Sequence, residues 1–180
     1  MKRTLLVGVG AAGFALGLLV QAGIAQSKKP TFTPDLIAGK NPKDAATVLL
    51  DGALELAENG SWERIAVGRA WYLGGDKPKG QKVFDEVTGS KKVEGSDWFR
   101  IGRVYTEAGE WDKAQTAFDR ALAMDPGDDS GMIEYGALAN VNKDRAKAEG
   151  LFDKAMKKKP REFWHWVGAG GSYLGVRPQD

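Results

Sequence analysis

The sequence lacks cysteine and has only a single histidine. None of its 180 residues is Cys, and His165 is the one His. Without Cys there can be no disulfide, no thiolate metal site and no cysteine nucleophile. A single His leaves little material for a catalytic triad or a multi-histidine metal site. We therefore expect no catalytic residue, no metal site and no enzymatic activity.

The chain also has little net charge. It carries 26 Lys and Arg residues against 24 Asp and Glu residues, a formal net charge of +2. Lys2 and Arg3 account for this excess, since 26 − 2 leaves 24 basic residues against 24 acidic ones. Nucleic-acid binding needs a basic surface, so we expect no nucleic-acid partner.

The first 25 residues have the pattern of a secretory signal peptide. Lys2 and Arg3 are followed by an apolar stretch over residues 5–20, and no charged residue occurs before Lys28. The small residues Gly23 and Ala25 suit a signal peptidase, and they predict cleavage after Ala25. The alternative is an uncleaved membrane anchor, because about 20 apolar residues can span a bilayer. Either interpretation places the rest of the chain outside the cytoplasm, in a bacterial periplasm or as a secreted protein. Membrane contact is expected only if the segment is not cleaved.

Glycine is the one residue type in excess, with 24 in the chain. Five lie in residues 1–25, where residues 8–13 match the dinucleotide-binding pattern G-x-G-x-x-G. That pattern binds a cofactor only within a strand–helix–strand unit that has an acidic residue about 20 positions later. Lys28, Lys29 and Pro30 follow instead. We expect no cofactor.

A repeating pattern with a period of about 34 residues organises most of the remaining chain. Small, aromatic and proline residues recur at this spacing. The predicted repeat core consists of Gly68, Phe84, Trp98, Gly102, Tyr105, Ala114, Phe118, Ala121, Pro126, Gly136, Ala148, Phe152, Ala155 and Pro160. One further period reaches Trp166, Ala169, Gly170 and Tyr173, and one period back from the first unit lie Ala46, Leu50 and Ala53.

Within one period the spacing predicts two helices that cross. Trp98, Ile101 and Tyr105 share one face of a first helix, because they follow an i, i+3, i+7 spacing. Gly102 would permit close approach of the second helix, and Phe118 would fill the space between them. Gly109 is predicted to end the first helix in the left-handed geometry, and Asn41 and Asp76 are predicted to begin helices. Such pairs bury their apolar faces only by stacking on neighbouring pairs.

The recurring residues resemble the tetratricopeptide repeat, a helix–turn–helix unit that has the same period. The resemblance is closest in residues 95–128, and Arg64, Gly80 and Lys92 depart from the pattern in the preceding unit. It implies an all-α fold, a right-handed α-solenoid with a C-terminal capping helix. The predicted organisation is a signal peptide or anchor at 1–25, a linker at 26–40 and a repeat domain at 41–180. Its units lie at about 61–94, 95–128 and 129–162, with half-units at 41–58 and 161–174.

In proteins similar to this one, the first helices of the units line a concave groove that binds a peptide or a partner helix. The resemblance therefore implies a protein or peptide partner. The predicted partner-binding groove consists of Trp62, Ile65, Arg69, Tyr72, Phe99, Arg103, Thr106, Ile133 and Asn140, continued by Trp164 and Val167.

The two arginines of the predicted groove allow alternative interpretations. Arg69 and Arg103 lie one period apart and could bind a carboxylate of the partner, or they could pair with acidic residues on neighbouring helices.

The period assigns Trp166, Ala169, Gly170 and Tyr173 to the core. His165 is expected at the surface, and Asp129 is expected in a solvated turn.

The function predicted from these observations is a non-catalytic scaffold or adaptor of the cell envelope. One alternative is a structural or regulatory subunit that is stable only within a larger envelope complex. A second alternative is a small helical enzyme or ligand-binding protein, for which the sequence offers only scattered carboxylates.

Overall fold

The computed structural model describes residues 29–178, and within this range the chain is all-helical. The predicted signal peptide or anchor lies outside the described residues. A short 3-10 helix at Pro34–Leu36 precedes the α-helices. These are α1 (Pro42–Ala57), α2 (Ser61–Leu73), α3 (Lys77–Thr88), α4 (Gly95–Glu107), α5 (Trp111–Met124), α6 (Asp129–Val141), α7 (Arg145–Lys158) and α8 (Phe163–Tyr173).

The helices form an α-solenoid of stacked antiparallel pairs. The main packing partners are α2 with α3, α4 with α5, and α6 with α7. Between pairs, α2 packs against α4 and α6 packs against α8, whereas α1 packs against α2. The three pairs fall inside the ranges 61–94, 95–128 and 129–162, and α1 and α8 fall inside the two half-units. No helix of residues 29–178 combines the length and apolarity needed to cross a membrane.

Side-chain caps begin two helices where the sequence predicted them. Asn41 Oδ1 accepts a hydrogen bond from the Asp44 backbone N–H at 3.0 Å, and Asp76 Oδ1 accepts one from the Lys79 backbone N–H at 3.1 Å. Each carboxyl or amide oxygen satisfies a backbone donor of the first turn. Gly109 ends α4 with φ +74°, so the predicted left-handed cap is confirmed.

A glycine lies at the crossing point of each helix pair, opposite a phenylalanine. A Cβ atom added to any of these glycines would lie 2.6 Å from a ring carbon of the facing phenylalanine. The pairs are Gly68 with Phe84, Gly102 with Phe118, and Gly136 with Phe152. This confirms that the periodic glycines permit close approach of the two helices.

The phenylalanines and alanines of the predicted core are buried, while the two helix-terminating prolines are exposed in turns. The main cluster extends from α2 through α5 and includes Tyr135 of α6. Phe118 is fully buried there, with its ring centroid 4.9 Å from that of Tyr135 and 5.5 Å from that of Phe99. Trp98 is half-buried and lies under the guanidinium group of Arg120.

At the C-terminal helix the core prediction is confirmed for Ala169, which is buried, and wrong for Trp166, Gly170 and Tyr173. Trp166 is 62% exposed and Tyr173 is 50% exposed. A Cβ atom at Gly170 would meet nothing within 4 Å, so Gly170 does not lie at a helix crossing. The physical reason is that α8 has no second helix to cover this face among the described residues.

Candidate protein-binding surface

Two adjoining clefts lie along the first helices of the pairs. The first, with a volume of about 410 Å³, lies between α4 and α6. The second, of about 480 Å³, lies between α6 and α8 and is also lined by residues 176–178. Ser130 and Glu134 of α6 line both clefts, which therefore form one continuous surface. We call this surface the α4–α6–α8 strip.

The strip contains several residues of the predicted groove. Phe99 and Arg103 line the first cleft, while Ile133, Trp164 and Val167 line the second. They meet there because residues one period apart occupy the same position on successive first helices. Their role in partner binding stays a prediction.

Apolar side chains dominate the exposed wall of the second cleft. Trp164 is 70% exposed, and Val167 and Val176 are also exposed. Ile133 forms the buried base beneath them. The ring of Phe163 lies edge-on to that of Trp164, with centroids 5.1 Å apart. Such a cleft can take apolar side chains from a partner, because burying them removes apolar surface of both molecules from water.

Bidentate charged pairs connect the first helices of successive units. Arg103 Nε donates to Glu134 Oε1 at 2.5 Å, and Arg103 Nη2 donates to Glu134 Oε2 at 2.6 Å. Arg69 binds Glu107 in the same two-pronged manner, at 3.2 and 2.5 Å. The structure therefore shows the second of the two arrangements predicted for these arginines: each pairs with an acidic residue on a neighbouring helix. These bidentate pairs hold α2 to α4 and α4 to α6.

Other predicted groove residues are engaged within the molecule. Ile65, Tyr72 and Thr106 are buried, and the Thr106 hydroxyl donates to the carbonyl of Gly102 at 2.9 Å. Asn140 donates to the hydroxyl of Ser172 at 3.0 Å and so connects α6 with α8. Trp62 is exposed, with the guanidinium carbon of Arg100 3.4 Å from its ring centroid.

A polar cluster joins the first two units beside Tyr72. The Tyr72 hydroxyl donates to Glu110 at 2.6 Å, and the ammonium groups of Lys77 and Lys113 contact the same carboxylate at 2.5 and 2.7 Å. Hydrogen bonds from Lys113, Lys77 and Tyr72, in that order, lower the pKa of Glu110 to about 2. The contact to Glu110 raises the pKa of Lys113 correspondingly. Glu110 is therefore a charged clamp between α2, α3 and α5.

His165 and Asp129 form a buried contact that the sequence analysis placed elsewhere. His165 is 2% exposed, so the expected surface location is wrong, and Asp129 is buried instead of solvated. His165 Nε2 lies 3.1 Å from Asp129 Oδ2, without hydrogen-bond alignment. The ammonium group of Lys159 lies 2.9 Å from the same carboxylate oxygen, and its interaction with Asp129 lowers the pKa of that carboxyl group.

This contact joins α6, α8 and the end of α7. Period counting could not find it, because neither residue belongs to the recurring pattern. A weak signal was present in the placement of Asp129 in the first turn of α6, close to one period before the lone histidine.

Residues 96–128 match the family model for the tetratricopeptide repeat. The match spans α4 and α5, where the recurring residues are most complete. Together with the helical fold, this match supports a relationship between the chain and the tetratricopeptide repeat family. No curated protein matches the chain. Within residues 29–178, no group of three or more His, Asp or Glu side chains is arranged to hold a metal ion.

Proposed function

We propose that this chain is a non-catalytic scaffold of the bacterial cell envelope that binds a partner segment on the α4–α6–α8 strip. The observation that carries the proposal is the cleft between α6 and α8. Trp164 and Val167 stand exposed there above the buried Ile133. Tetratricopeptide repeats generally mediate protein–protein binding, and the match to residues 96–128 supports the same role here.

The chemistry of the cleft favours a segment with apolar side chains. Trp164 offers a large, rigid surface that loses little conformational entropy on binding, and tryptophan is enriched among residues that dominate binding energy. Glu134 and Arg177 lie at the rim and add polar contacts that fix the direction of a bound segment. The bidentate pair of Arg103 with Glu134 keeps the rim in place without a bound partner.

The proposed location rests on the N-terminal sequence. Residues 1–25 combine a positive start, an apolar stretch and small residues before the predicted cleavage site. The chain would then carry the strip in the periplasm, as a soluble scaffold if residues 1–25 are cleaved and as a membrane-anchored scaffold if they are not.

Two tryptophans on α8 provide a matched test. Trp164 and Trp166 are both exposed, but two residues on a helix are about 200° apart, so Trp166 lies away from the cleft. Peptides selected from a random library on the wild-type chain should be rich in apolar residues. Trp164→Ala should weaken their binding at least tenfold, because a buried tryptophan anchor contributes about 2 kcal/mol or more.

Trp166→Ala is the control and should bind the same peptides with affinity close to that of the wild type. Circular dichroism would confirm equal helix content for both variants. Equal peptide affinity for wild type and Trp164→Ala would contradict the proposed site. Stronger loss in Trp166→Ala than in Trp164→Ala would move the binding surface to the opposite side of α8.

A further inference from the structure

The outer face of α8 has the composition of a first helix, but no second helix covers it within residues 29–178. Trp166, Gly170 and Tyr173 stand two periods after Trp98, Gly102 and Tyr105 of α4. In α4 that face is covered by α5, and the ring of Phe118 contacts Gly102. On α8 the same positions are exposed, and the space over Gly170 is open.

This face is also unsuited to permanent contact with water. The eleven residues of α8 (FWHWVGAGGSY) include no Lys, Arg, Asp or Glu. Repeat stacks that end in solvent usually carry a terminal unit with a polar outer face. The composition of α8 therefore indicates a covered surface.

At the N-terminal end of the described residues the reverse holds: a second helix stands without a first helix. α1 holds the positions of a second helix, since Ala46, Leu50 and Ala53 stand one period before Gly80, Phe84 and Val87 of α3. No first helix precedes α1 in residues 29–178, and none of its 16 residues is buried. Leu49 is 41% exposed, whereas Val83, its counterpart in α3, is 4% exposed.

We propose that α8 of one copy of this chain pairs with α1 of a second copy and forms a complete unit. The first helix of that unit would be α8, and the second would be α1. Within the complete pair of α2 and α3, Val83 and Phe84 both contact the position of Gly68. By the same register, Leu49 and Leu50 of the second copy contact Gly170.

The segment before α1 occupies one edge of this surface and must move aside. Pro30 packs against Gly52 of α1: the Cβ atom of Pro30 lies 3.7 Å from the position that a Cβ atom on Gly52 would occupy. Pro30 stands one period before Arg64 and thus in the register position that Trp166 takes in the joint. Because Pro30 and Pro34 interrupt helix formation, the segment forms only a 3-10 turn and leaves Leu49 exposed.

The joint uses different surfaces on the two copies, so it does not close on itself in a dimer. Each added copy presents a new α8 face, and the result is an open row of copies or a ring. Such a row would continue the stacking of first helices from one copy to the next. The proposal is independent of partner binding, because Trp166 and Gly170 do not line the α4–α6–α8 strip.

The absence of native cysteine allows a direct test by disulfide trapping in the full chain. Val83 Cβ lies 3.3 Å from the Cβ position of Gly68, close to the separation of about 3.5–4.5 Å found in disulfides. When Leu49→Cys and Gly170→Cys variants are mixed and mildly oxidised, a mixed disulfide dimer should be the main product. The double variant should give a ladder of higher multimers. Lys82→Cys, exposed on α3 and outside the proposed contact of α8 with α1, is the matched control with Gly170→Cys.

Mixed dimers no more abundant than with the Lys82→Cys control would overturn the proposal. A dominant Gly170→Cys homodimer would also overturn it, since it indicates α8 against α8 across a two-fold axis. A second measurement does not depend on oxidation. In sedimentation, the average mass of the wild-type chain should rise with concentration, and Gly170→Glu should remove this rise while helix content is unchanged. A mass unaffected by Gly170→Glu contradicts the joint.

Discussion

The central unit and the two ends of this molecule have similar sequence patterns but very different packing. In α4 and α5, Gly102 and Phe118 meet in a fully buried contact. At the C-terminus, Gly170 recurs in register and faces open space. At the N-terminus, Leu50 recurs in register with Phe84 but is only half-buried. The comparison teaches that the period specifies which residue type stands at each position, whereas burial requires the neighbouring helix.

The largest difference between these regions is expected for the ring at the helix crossing. Phe118→Ala removes a ring with no exposed surface that contacts α4 and Tyr135 of α6. We expect a loss of about 3–5 kcal/mol in the free energy of unfolding, as for other buried phenylalanines. Leu50→Ala, at the corresponding position of α1, should cost about 1 kcal/mol because its side chain is only half-buried. Urea unfolding followed by circular dichroism measures both values.

Phe152→Ala in the third unit serves as a control, because Phe152 is also buried against its periodic glycine. It should resemble Phe118→Ala more than Leu50→Ala. Equal losses for Phe118→Ala and Leu50→Ala would mean that α1 is as well packed as the central unit, which would contradict the comparison.

The next largest difference concerns the glycines themselves. Gly102→Ala places a Cβ 2.6 Å from the Phe118 ring, and the resulting overpacking should cost about 1–3 kcal/mol. Gly170→Ala meets nothing within 4 Å, and alanine is the better helix former by about 1 kcal/mol. It should therefore leave stability unchanged or raise it slightly. Thermal melts at low protein concentration, where copies are separated, would compare the two variants.

A destabilising effect of Gly170→Ala at low concentration would show that its face is covered within one chain. Gly150→Ala gives a reference value for an open helical glycine, because nothing lies within 4 Å of its Cβ position either. The difference between Gly170→Ala and Gly150→Ala then isolates any local crowding at α8.

Much of the fold could be predicted from the sequence because the repeat places its determinants locally. Gly102, Phe118 and Gly109 each act on a neighbour within one period, so spacing alone predicts the helix pair and its cap. The strip was predicted in outline for the same reason, since Phe99 and Ile133 occupy equivalent positions on successive first helices. What the period could not indicate is where stacking ends, and Trp166 was misplaced for that reason.

The contacts between units were harder to predict. Glu110 binds Tyr72 and Lys77 of the preceding unit, and Asp129 of α6 contacts His165 of α8. These pairs depend on the twist between successive units, which fixes which side chains come within reach. A pattern of residue types with a single period does not contain that angle. The sequence therefore left two partners open for Arg69 and Arg103, and it placed His165 at the surface.

The smallest expected difference is electrostatic. It lies between an ion-pair cluster that connects two units, around Glu110, and an ion pair formed within one helix. Glu110 has a pKa of about 2 in the folded chain, below its ordinary value near 4.5. A carboxylate whose pKa is lowered by folding stabilises the protein fully above the unfolded value, and this contribution is lost as pH falls towards the folded value. We expect Glu110→Gln to cost about 1 kcal/mol at pH 7, with allowance for screening of this partly exposed group. The cost should shrink between pH 4.5 and pH 2.

Glu149→Gln provides the control from the third unit. Glu149 is exposed and pairs with Arg145 one turn away on the same helix, an interaction that lowers its pKa. It also accepts a hydrogen bond from the Tyr173 hydroxyl of α8 at 3.3 Å, and both contacts lie outside α2 and α3. Urea midpoints measured at several pH values should show a larger effect at pH 7 for Glu110→Gln than for Glu149→Gln. Only Glu110→Gln should also weaken the coupling of the first unit to the second, seen as faster hydrogen exchange in α2 and α3. Equal exchange rates in the two variants would mean that the clamp around Glu110 does not hold the units together. The remaining links would then include the Arg69–Glu107 pair and the aromatic contact between Tyr72 and Tyr105, with centroids 5.6 Å apart.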